Sequence, residues 1–504
     1  MTTKTNIQNT LWKACGSFRG KIDSSRYKDY ILTMLFVKYL GDVNKERRAE
    51  YAKQYTGDQA RIDRAMSRES FVIDEQSSFD YLYANRSDAK IGEKINIALS
   101  AIEERNGAKL RNVFRAIDFN SAVDFGEPKE KNAILRNLLQ DFYDLDLSPS
   151  QLETGDIIGD AYEYMINRFA ADAGKKGGEF FTPAQVSELV AKLVEPHEND
   201  RIYDATCGSG GLLLKAYAEV KSHRIAIYGQ EKNAQTWALC KMNMFLHNIA
   251  TATIWQGDTL SNPQNIENDK LMKFQVVVAN PPFSLDKWAE GFLSDDITKM
   301  TAGLDPYKRF DWGMPPVSKG DYAFVMHMLN CLDDSTGRMG IVLPHGVLFR
   351  GAQEGIIRKT IIENFNLLDA VIGLPANLFF GAGIPACILI FKKNRQTRNV
   401  FFIDASGDEN YEKGKNQNIL RPEDIEKIVT TYKARAVIDK YSYNATFDEI
   451  KENDFNLNIP RYVDTFEEEP EVDIVAVKAE IERLESELAD VQAQMAKYLE
   501  ELEV

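Results

Sequence analysis

The chain of 504 residues has only five cysteines, and no two of them form a C-x-x-C pair. This argues against zinc and for reduced thiols. Long apolar runs are missing too. The stretch Ile31 to Leu40 is broken by Thr33 and Lys38, and it falls far short of the ~20 residues a membrane span needs. The opening Met-Thr-Thr-Lys-Thr-Asn-Ile lacks the apolar core of a signal peptide, so a cytoplasmic location and no membrane partner are expected. No G-x-x-x-x-G-K-[ST] occurs, and ATP-driven work is therefore expected to belong to another chain. Positive charge is also in short supply: 61 Lys and Arg stand against 76 Asp and Glu, leaving a net charge of −15.

What is there is ordinary globular composition, 44% hydrophobic and 27% charged, on a chain too long for a single core. The first 150 residues read as helical, with Tyr27, Ile31, Met34 and Leu35 at helical spacing before Gly41. They carry no catalytic constellation, and Lys45, Arg47 and Arg48 read as an exposed helix face. The expected divisions are a helical domain at 1–150, an α/β domain at 151–465 and a C-terminal helix at 466–504.

The α/β signals begin at Arg201-Ile-Tyr-Asp204, a short buried strand that runs into Ala205-Thr-Cys-Gly208-Ser209-Gly210-Gly211 and then into a helical run. Glycines let the backbone approach a ligand closely, and the helix behind them presents free N–H groups. The turn does not spell the G-x-G-x-x-G of dinucleotide folds. A second strand, Arg224 to Tyr228, leads to Gly229-Gln230-Glu231, placing a carboxylate where doubly wound folds bind ribose hydroxyls. A third, Thr253 to Gln256, ends in Gly257-Asp258-Thr259, where an acceptor can meet the amino group of a cofactor adenine. The apolar run Phe274 to Ala279 ends in Asn280-Pro281-Pro282-Phe283. Singly, such acids and amides are common caps and turn residues. Four of them in register (Asp204, Glu231, Asp258 and Asn280) mark the edge where open α/β sheets bind ligands.

The fourth strand end answers a particular chemical difficulty. The exocyclic nitrogen of adenine delocalises its lone pair into the ring, so it attacks poorly unless acceptors hold both its hydrogens. Asn280 offers its side-chain oxygen. Pro281 offers a backbone carbonyl held in one direction, because two consecutive prolines fix φ and donate no N–H. Phe283 offers a face for a base to stack on. Read without their surroundings, the same four residues are equally a strand ending in a Pro-Pro turn with a core phenylalanine.

On these residues the chain resembles S-adenosylmethionine-dependent methyltransferases of exocyclic amines. Gly174-Lys-Lys-Gly-Gly-Glu179-Phe180-Phe181-Thr182-Pro183, preceded by Gly159-Asp160-Ala161-Tyr162-Glu163-Tyr164 and followed late in the chain by Asp454-Phe-Asn456-Leu-Asn458-Ile-Pro-Arg461-Tyr462, narrows the resemblance. It is similar over essentially its whole length to the modification subunits of type I restriction-modification systems. The resemblance implies an α/β Rossmann-like methyltransferase domain whose mostly parallel sheet carries one antiparallel strand. It also implies S-adenosylmethionine as cofactor, flanked by Glu179, Phe180, Phe181, Thr182 and Pro183. Ser209, Gly210 and Gly211 lie beside its methionine part, with Asp204 and Gly208 in the same turn, and Glu231 holds the ribose; Asp258 and Thr259 complete the set. Asn280, Pro281, Pro282 and Phe283 are the catalytic motif, and no metal is implied. The implied partners are double-stranded DNA, a specificity subunit, a second modification subunit and a restriction subunit. One departure is Thr206-Cys207, where many relatives carry Pro and Ala. On its residues alone, the segment Gly174 to Gly178 is either a solvated loop or a site for a phosphate or carboxylate.

Further on, a helix is expected from Asp321 to Leu329, with strands at Arg338 to Leu343, Leu367 to Leu374 and, last, Ala386 to Lys392. The short link Gly373 to Pro385 suits an antiparallel return, and Asn377-Leu-Phe-Phe380 within it is placed to approach DNA. In the tail, Ile474, Val477, Ile481, Leu484, Leu488, Val491, Met495, Tyr498 and Leu502 form an a/d heptad seam. Such a seam needs cover, either from its own domain or from a partner, and the resemblance implies the long helices of the specificity subunit. Ten acids against three bases between Glu471 and Val504 put part of the negative charge there. No Pro-Cys dipeptide occurs, which removes the usual nucleophile of cytosine C5 methylation. The expected reaction is direct displacement on a flipped-out adenine. Two other readings stay open: methylation of a protein glutamine, and a catalytically idle DNA-binding scaffold.

Overall fold

The computed structural model describes residues 1–173, 181–292, 302–380, 383–465 and 474–501. It separates into two compact units, Met1–Val463 and Asp464–Val504.

The first unit is built on strands β1 (Arg201–Asp204), β2 (Ala226–Glu231), β3 (Thr253–Gln256), a two-residue pair β4 (Ile266–Glu267) and β5 (Lys270–Leu271), β6 (Val276–Ala279), β7 (Arg338–Pro344), β8 (Leu368–Gly373), β9 (Ala386–Lys392), β10 (Val400–Asp404) and β11 (Ser442–Ala445). Among the described residues nine of them form one sheet in the order β11-β10-β8-β9-β7-β6-β1-β2-β3. The central strands are mostly apolar, and every residue of β6 and β8 is buried, as a sheet covered on both faces requires. Strand β9 runs antiparallel to both β7 and β8, as the short link before it led one to expect.

The expectation that Ala386 to Lys392 is the last strand is corrected. Strand β10 adds parallel to β8, and β11 adds antiparallel to β10, so a second antiparallel strand closes that edge. Its four residues, Ser-Tyr-Asn-Ala, are too short and polar to announce a strand, and pairing with β10 makes them one. Strand β2 also ends three residues later than its apolar run. Gln230 and Glu231 belong to the strand because they pair with Trp255 and Gln256 of β3; the buried Gln230 amide also donates to the carbonyl of Asn262 and accepts from the N–H of Gln264, both at 2.9 Å.

The N-terminal part is helical, with long helices at Lys4–Phe18, Ser24–Gln54, Ile91–Arg105 and Pro128–Tyr143. Tyr27, Ile31, Met34 and Leu35 are buried. Their helix does not stop at Gly41, which faces Phe79 and continues the turn pattern to Gln54. Lys45, Arg47 and Arg48 pair with Asp80, Glu50 and Asp63 on an exposed face. The helices share one core with the sheet's own helices: Phe36 and Phe71 lie 6.2 and 5.1 Å from Phe245, and Tyr27 lies 5.7 Å from Phe169. Among the described residues no helix is long and apolar enough to cross a membrane.

The second unit is the helix Ile474–Glu501, on which Val477, Ile481, Leu484, Leu488, Val491, Met495 and Tyr498 are all exposed. The last position of the expected seam, Leu502, lies outside the described residues.

The far half of the sheet depends on one acid. Asp369, 4% exposed at the start of β8, accepts from Arg395 Nε at 3.0 Å, Tyr432 Oη at 2.6 Å and Arg435 Nη2 at 2.5 Å. Removing it strands a buried guanidinium, so Asp369→Ala is expected to destabilise the protein by about 3–5 kcal/mol, read from chemical denaturation of the full chain.

Candidate active site

Register brings the strand ends together. Asp204 of β1 pairs with Gly229 of β2 and Val278 of β6, Glu231 of β2 pairs with Gln256 of β3, and Ala279 pairs with Ile341 of β7. Asp204, Glu231, Asp258 and Asn280 therefore share one carboxyl edge of the sheet, the edge where such folds bind ligands.

The turn after β1 is held by its own backbone. Gly210 N–H donates to the carbonyl of Cys207 at 2.7 Å, and Cys207 N–H to that of Gln230 at 3.1 Å. Gly210 sits at φ +91°, a left-handed conformation that demands glycine, and a β-carbon there would displace Met244 Cε, 2.6 Å away. Cys207 fills the gap against Gly229 and Cys240, and its hydrogen bond with Cys240, with burial, pushes its thiol well above the ordinary range. The helix Gly211–Ala218 starts with no side-chain cap among the described residues, leaving N–H donors for a ligand. Glu163 reaches this end, its carboxylate 3.8 Å from Lys215 Nζ.

Two carboxylates lie in this turn. Glu231 accepts from Gly208 N–H at 3.0 Å and from Asn233 N–H at 2.7 Å; burial raises its pKa against the pull of those donors. Asp204, 1% exposed, accepts from Thr206 N–H at 2.9 Å. Burial pushes its carboxyl up to about 8, and the nearby Glu231 adds to the rise. Asp258 is more fully engaged: Leu260 and Ser261 N–H donate to it at 2.9 and 3.3 Å, and Lys232 lies 2.8 Å away. Thr259 spends its hydroxyl on the carbonyl of Ala205 at 2.6 Å, tying the turn after β3 to the turn after β1. Thr206 Oγ1 and Ser187 Oγ are buried without partners among the described residues. Orphaned hydroxyls, an uncapped helix end and a glycine cradle fit a polar cofactor lying across this edge.

At the motif, Asn280 Nδ2 donates to Thr182 Oγ1 at 3.0 Å, while Asn280 Oδ1 is buried with no partner among the described residues. Thr182 thus anchors the nitrogen end of the amide. Pro281 is buried and Pro282 exposed. Phe283 is half-buried and meets Phe379 edge-on at 5.6 Å, and the buried Phe181 lies 6.1 Å from Phe380. One loop, Leu378 to Phe380, thereby supports the rings on both sides of Asn280. The backbone leaving the motif is pinned by Asp321, which accepts from Ser284 N–H at 2.8 Å and is paired with Arg350 at 2.5 Å. Pro183 precedes the helix Ala184–Val194. Glu179 and Phe180 lie outside the described residues.

The sequence alone marks Thr182 only as a cofactor neighbour. Its partner lies 98 positions away, a distance no local pattern spans. Asp321 carries a helix-start signal, and its grip on Ser284 shows only in three dimensions.

An open sheet with a glycine cradle at one strand end and an orphaned amide acceptor at another defines the class: an S-adenosylmethionine-dependent methyltransferase acting on an amino group. Comparison with known proteins narrows the class. The N-6 DNA Methylase family matches residues 153–471, and the HsdM N-terminal domain matches residues 7–142. The chain belongs to the N-6 DNA Methylase family. It is 32% identical to the type I restriction enzyme MpnII methylase subunit of Mycoplasma pneumoniae, over 99% of this chain and 97% of that one. The MjaVIII methylase subunit of Methanocaldococcus jannaschii is also 32% identical, over 99% of this chain and 85% of its own. Among solved structures, a type I restriction-modification system methyltransferase subunit from Streptococcus thermophilus superposes with a TM-score of 0.79 at 36% identity, over 92% of this chain and 100% of that one.

Thr182→Val removes the acceptor that orients Asn280 and is expected to lower the methyl-transfer rate about 10- to 100-fold, measured as kcat on DNA. Asp204 makes a second prediction. Its pKa is raised from an ordinary 3.8 to about 8, so between these values the folded chain keeps a proton that the unfolded chain has released. The stabilisation is full below pH 3.8 and is lost as pH rises towards 8. Asp204→Asn should flatten that slope, by up to about 1.4 kcal/mol per pH unit, in denaturation midpoints compared at pH 5 and pH 8 in about the same salt.

Proposed function

We propose that this chain methylates the N6 amine of adenine in double-stranded DNA as the modification subunit of a type I restriction-modification complex. The observation that carries the assignment is the buried, unpartnered Oδ1 of Asn280, whose amide nitrogen is engaged by Thr182. In the bound state it accepts one amine hydrogen and the Pro281 carbonyl accepts the other, which returns the lone pair to the nitrogen. Phe283, steadied by Phe379, stacks on the flipped base. Bound S-adenosylmethionine supplies an electrophilic methyl group. The turn Gly208 to Gly211 and the helix start behind it take its methionine end, Glu231 the ribose and Asp258 the adenine, with Glu179 to Pro183 on its flank. Positioning, and the entropy saved by holding both reactants, provide most of the acceleration.

The division of labour follows from charge. Duplex affinity rests on Lys and Arg at phosphates, and a net charge of −15 leaves this chain poorly supplied. Sequence choice and much of the attraction belong to a specificity subunit. Its long helices cover the apolar seam Val477 to Tyr498, whose members are 45% and 62% exposed at the two ends. A second modification subunit and a restriction subunit complete the assembly. Residues 1–150 form the helical domain, 151–465 the methyltransferase domain and 466–504 the partner helix.

The test is transfer of radiolabelled methyl from S-adenosylmethionine to DNA, with and without the cognate specificity subunit, followed by nucleoside analysis. Label in N6-methyladenine only when that subunit is present is the expected result. Label on protein, or none despite cofactor binding, contradicts the proposal.

A further inference from the structure

Arg309 lies in the segment that follows the Asn280 motif, and it is 1% exposed. Its Nε and Nη2 hold the Asp305 carboxylate at 3.1 and 2.8 Å. The rest of the guanidinium serves the turn after β3: Nη2 donates to the carbonyl of Leu260 at 2.6 Å and Nη1 to that of Thr259 at 3.3 Å. Nη1 also lies 3.1 Å from His327 Nδ1. Arginine has donors only, so Nδ1 is the acceptor and His327 carries its proton on Nε2, 3.1 Å from Tyr203 Oη. Burial, with the neighbouring guanidinium, holds His327 neutral. Tyr203 stands one residue before Asp204 on β1, so the network runs beneath the ligand edge from β1 to the turn after β3.

That turn is gripped from two sides. Asp258 takes the N–H groups of Leu260 and Ser261, while Arg309 takes the carbonyls of Thr259 and Leu260. The same segment also packs on it directly: at Gly291, φ +96°, a β-carbon would come within 2.8 Å of Ser261 Oγ. Without Arg309 two carbonyls lose their buried donor and the turn is free to relax.

We propose that Arg309 is a positioning residue for the cofactor: it fixes the Asp258–Leu260 turn against the segment leaving the Asn280 motif, so that the geometry of the adenine end of S-adenosylmethionine depends on that segment. The proposal rests on the reading of Asp258 as the residue that meets the cofactor adenine. Lysine can keep the pair with Asp305 but cannot fork to both carbonyls.

Arg309→Lys in the full chain, assayed with the specificity subunit, is therefore expected to raise KM for S-adenosylmethionine roughly tenfold with kcat at saturation within about twofold. Amide hydrogen exchange should quicken across residues 257–262 and stay unchanged across 276–283. The paired variant Asp305→Asn with Arg309→Gln removes the buried charges while keeping amide donors, and it should show the same split if the lysine variant does not fold. Asp258→Ala is the companion measurement. Weakened cofactor binding in Asp258→Ala with an unchanged KM and unchanged exchange in the Arg309 variants overturns the role of Arg309 alone. Unchanged binding in Asp258→Ala overturns the reading of Asp258 beneath it. A fall in kcat with KM unaltered also overturns the proposal, since a cofactor-positioning role does not predict it.

Discussion

A buried amide oxygen with no donor is the feature on which the rest of this site depends. Leaving such a group unpaired costs about 1–3 kcal/mol, a cost that a bound donor removes. Here Asn280 follows the last residue of a fully buried central strand, its nitrogen is committed to Thr182, and two prolines leave no nearby N–H to satisfy the oxygen. Under the proposed function, the missing donor is the amine of the substrate. Its hydrogens are drawn away from the ring at the moment the nitrogen must attack, so the acceptor gains most in the transition state.

The proposed cofactor side follows a complementary logic. Its carboxylates sit at strand ends, where burial raises their pKa values and backbone N–H groups lower them. Glu231 serves twice, binding Gly208 of the glycine turn and closing the start of the next helix through Asn233. The turn after β3 is tied to the turn after β1 by Thr259 and braced from behind by Arg309. On the proposed assignment the cofactor therefore lies on turns that brace each other, which suits a reaction whose acceleration comes mainly from geometry.

Much of this was legible in the sequence because the site is made of strand ends. Apolar runs that stop at Asp204, near Glu231 and at Asn280 mark both the sheet and its ligand edge, and the parallel register aligns them automatically. Glycine at 208 and 210 reads directly as a turn that needs left-handed backbone. What escaped was long-range or weakly patterned. Strand β11 is four residues whose only qualification is a neighbour. The roles of Thr182 towards Asn280, of Phe379 towards Phe283 and of Asp321 towards Ser284 link positions 98, 96 and 37 apart. Arg309 carries no local signal, because its partners beyond the nearby Asp305 are carbonyls of a distant turn. The heptad seam was plain from spacing alone, since an exposed helix carries its pattern in its own sequence.

The central claim is that the free oxygen of Asn280 is the acceptor for the amine. The most direct test replaces it with alanine and measures, on the same preparation with the specificity subunit present, both the affinity for S-adenosylmethionine and the rate of N6-methyladenine formation. The account predicts that methylation is abolished while cofactor binding is largely kept. Methylation persisting in Asn280→Ala would contradict it.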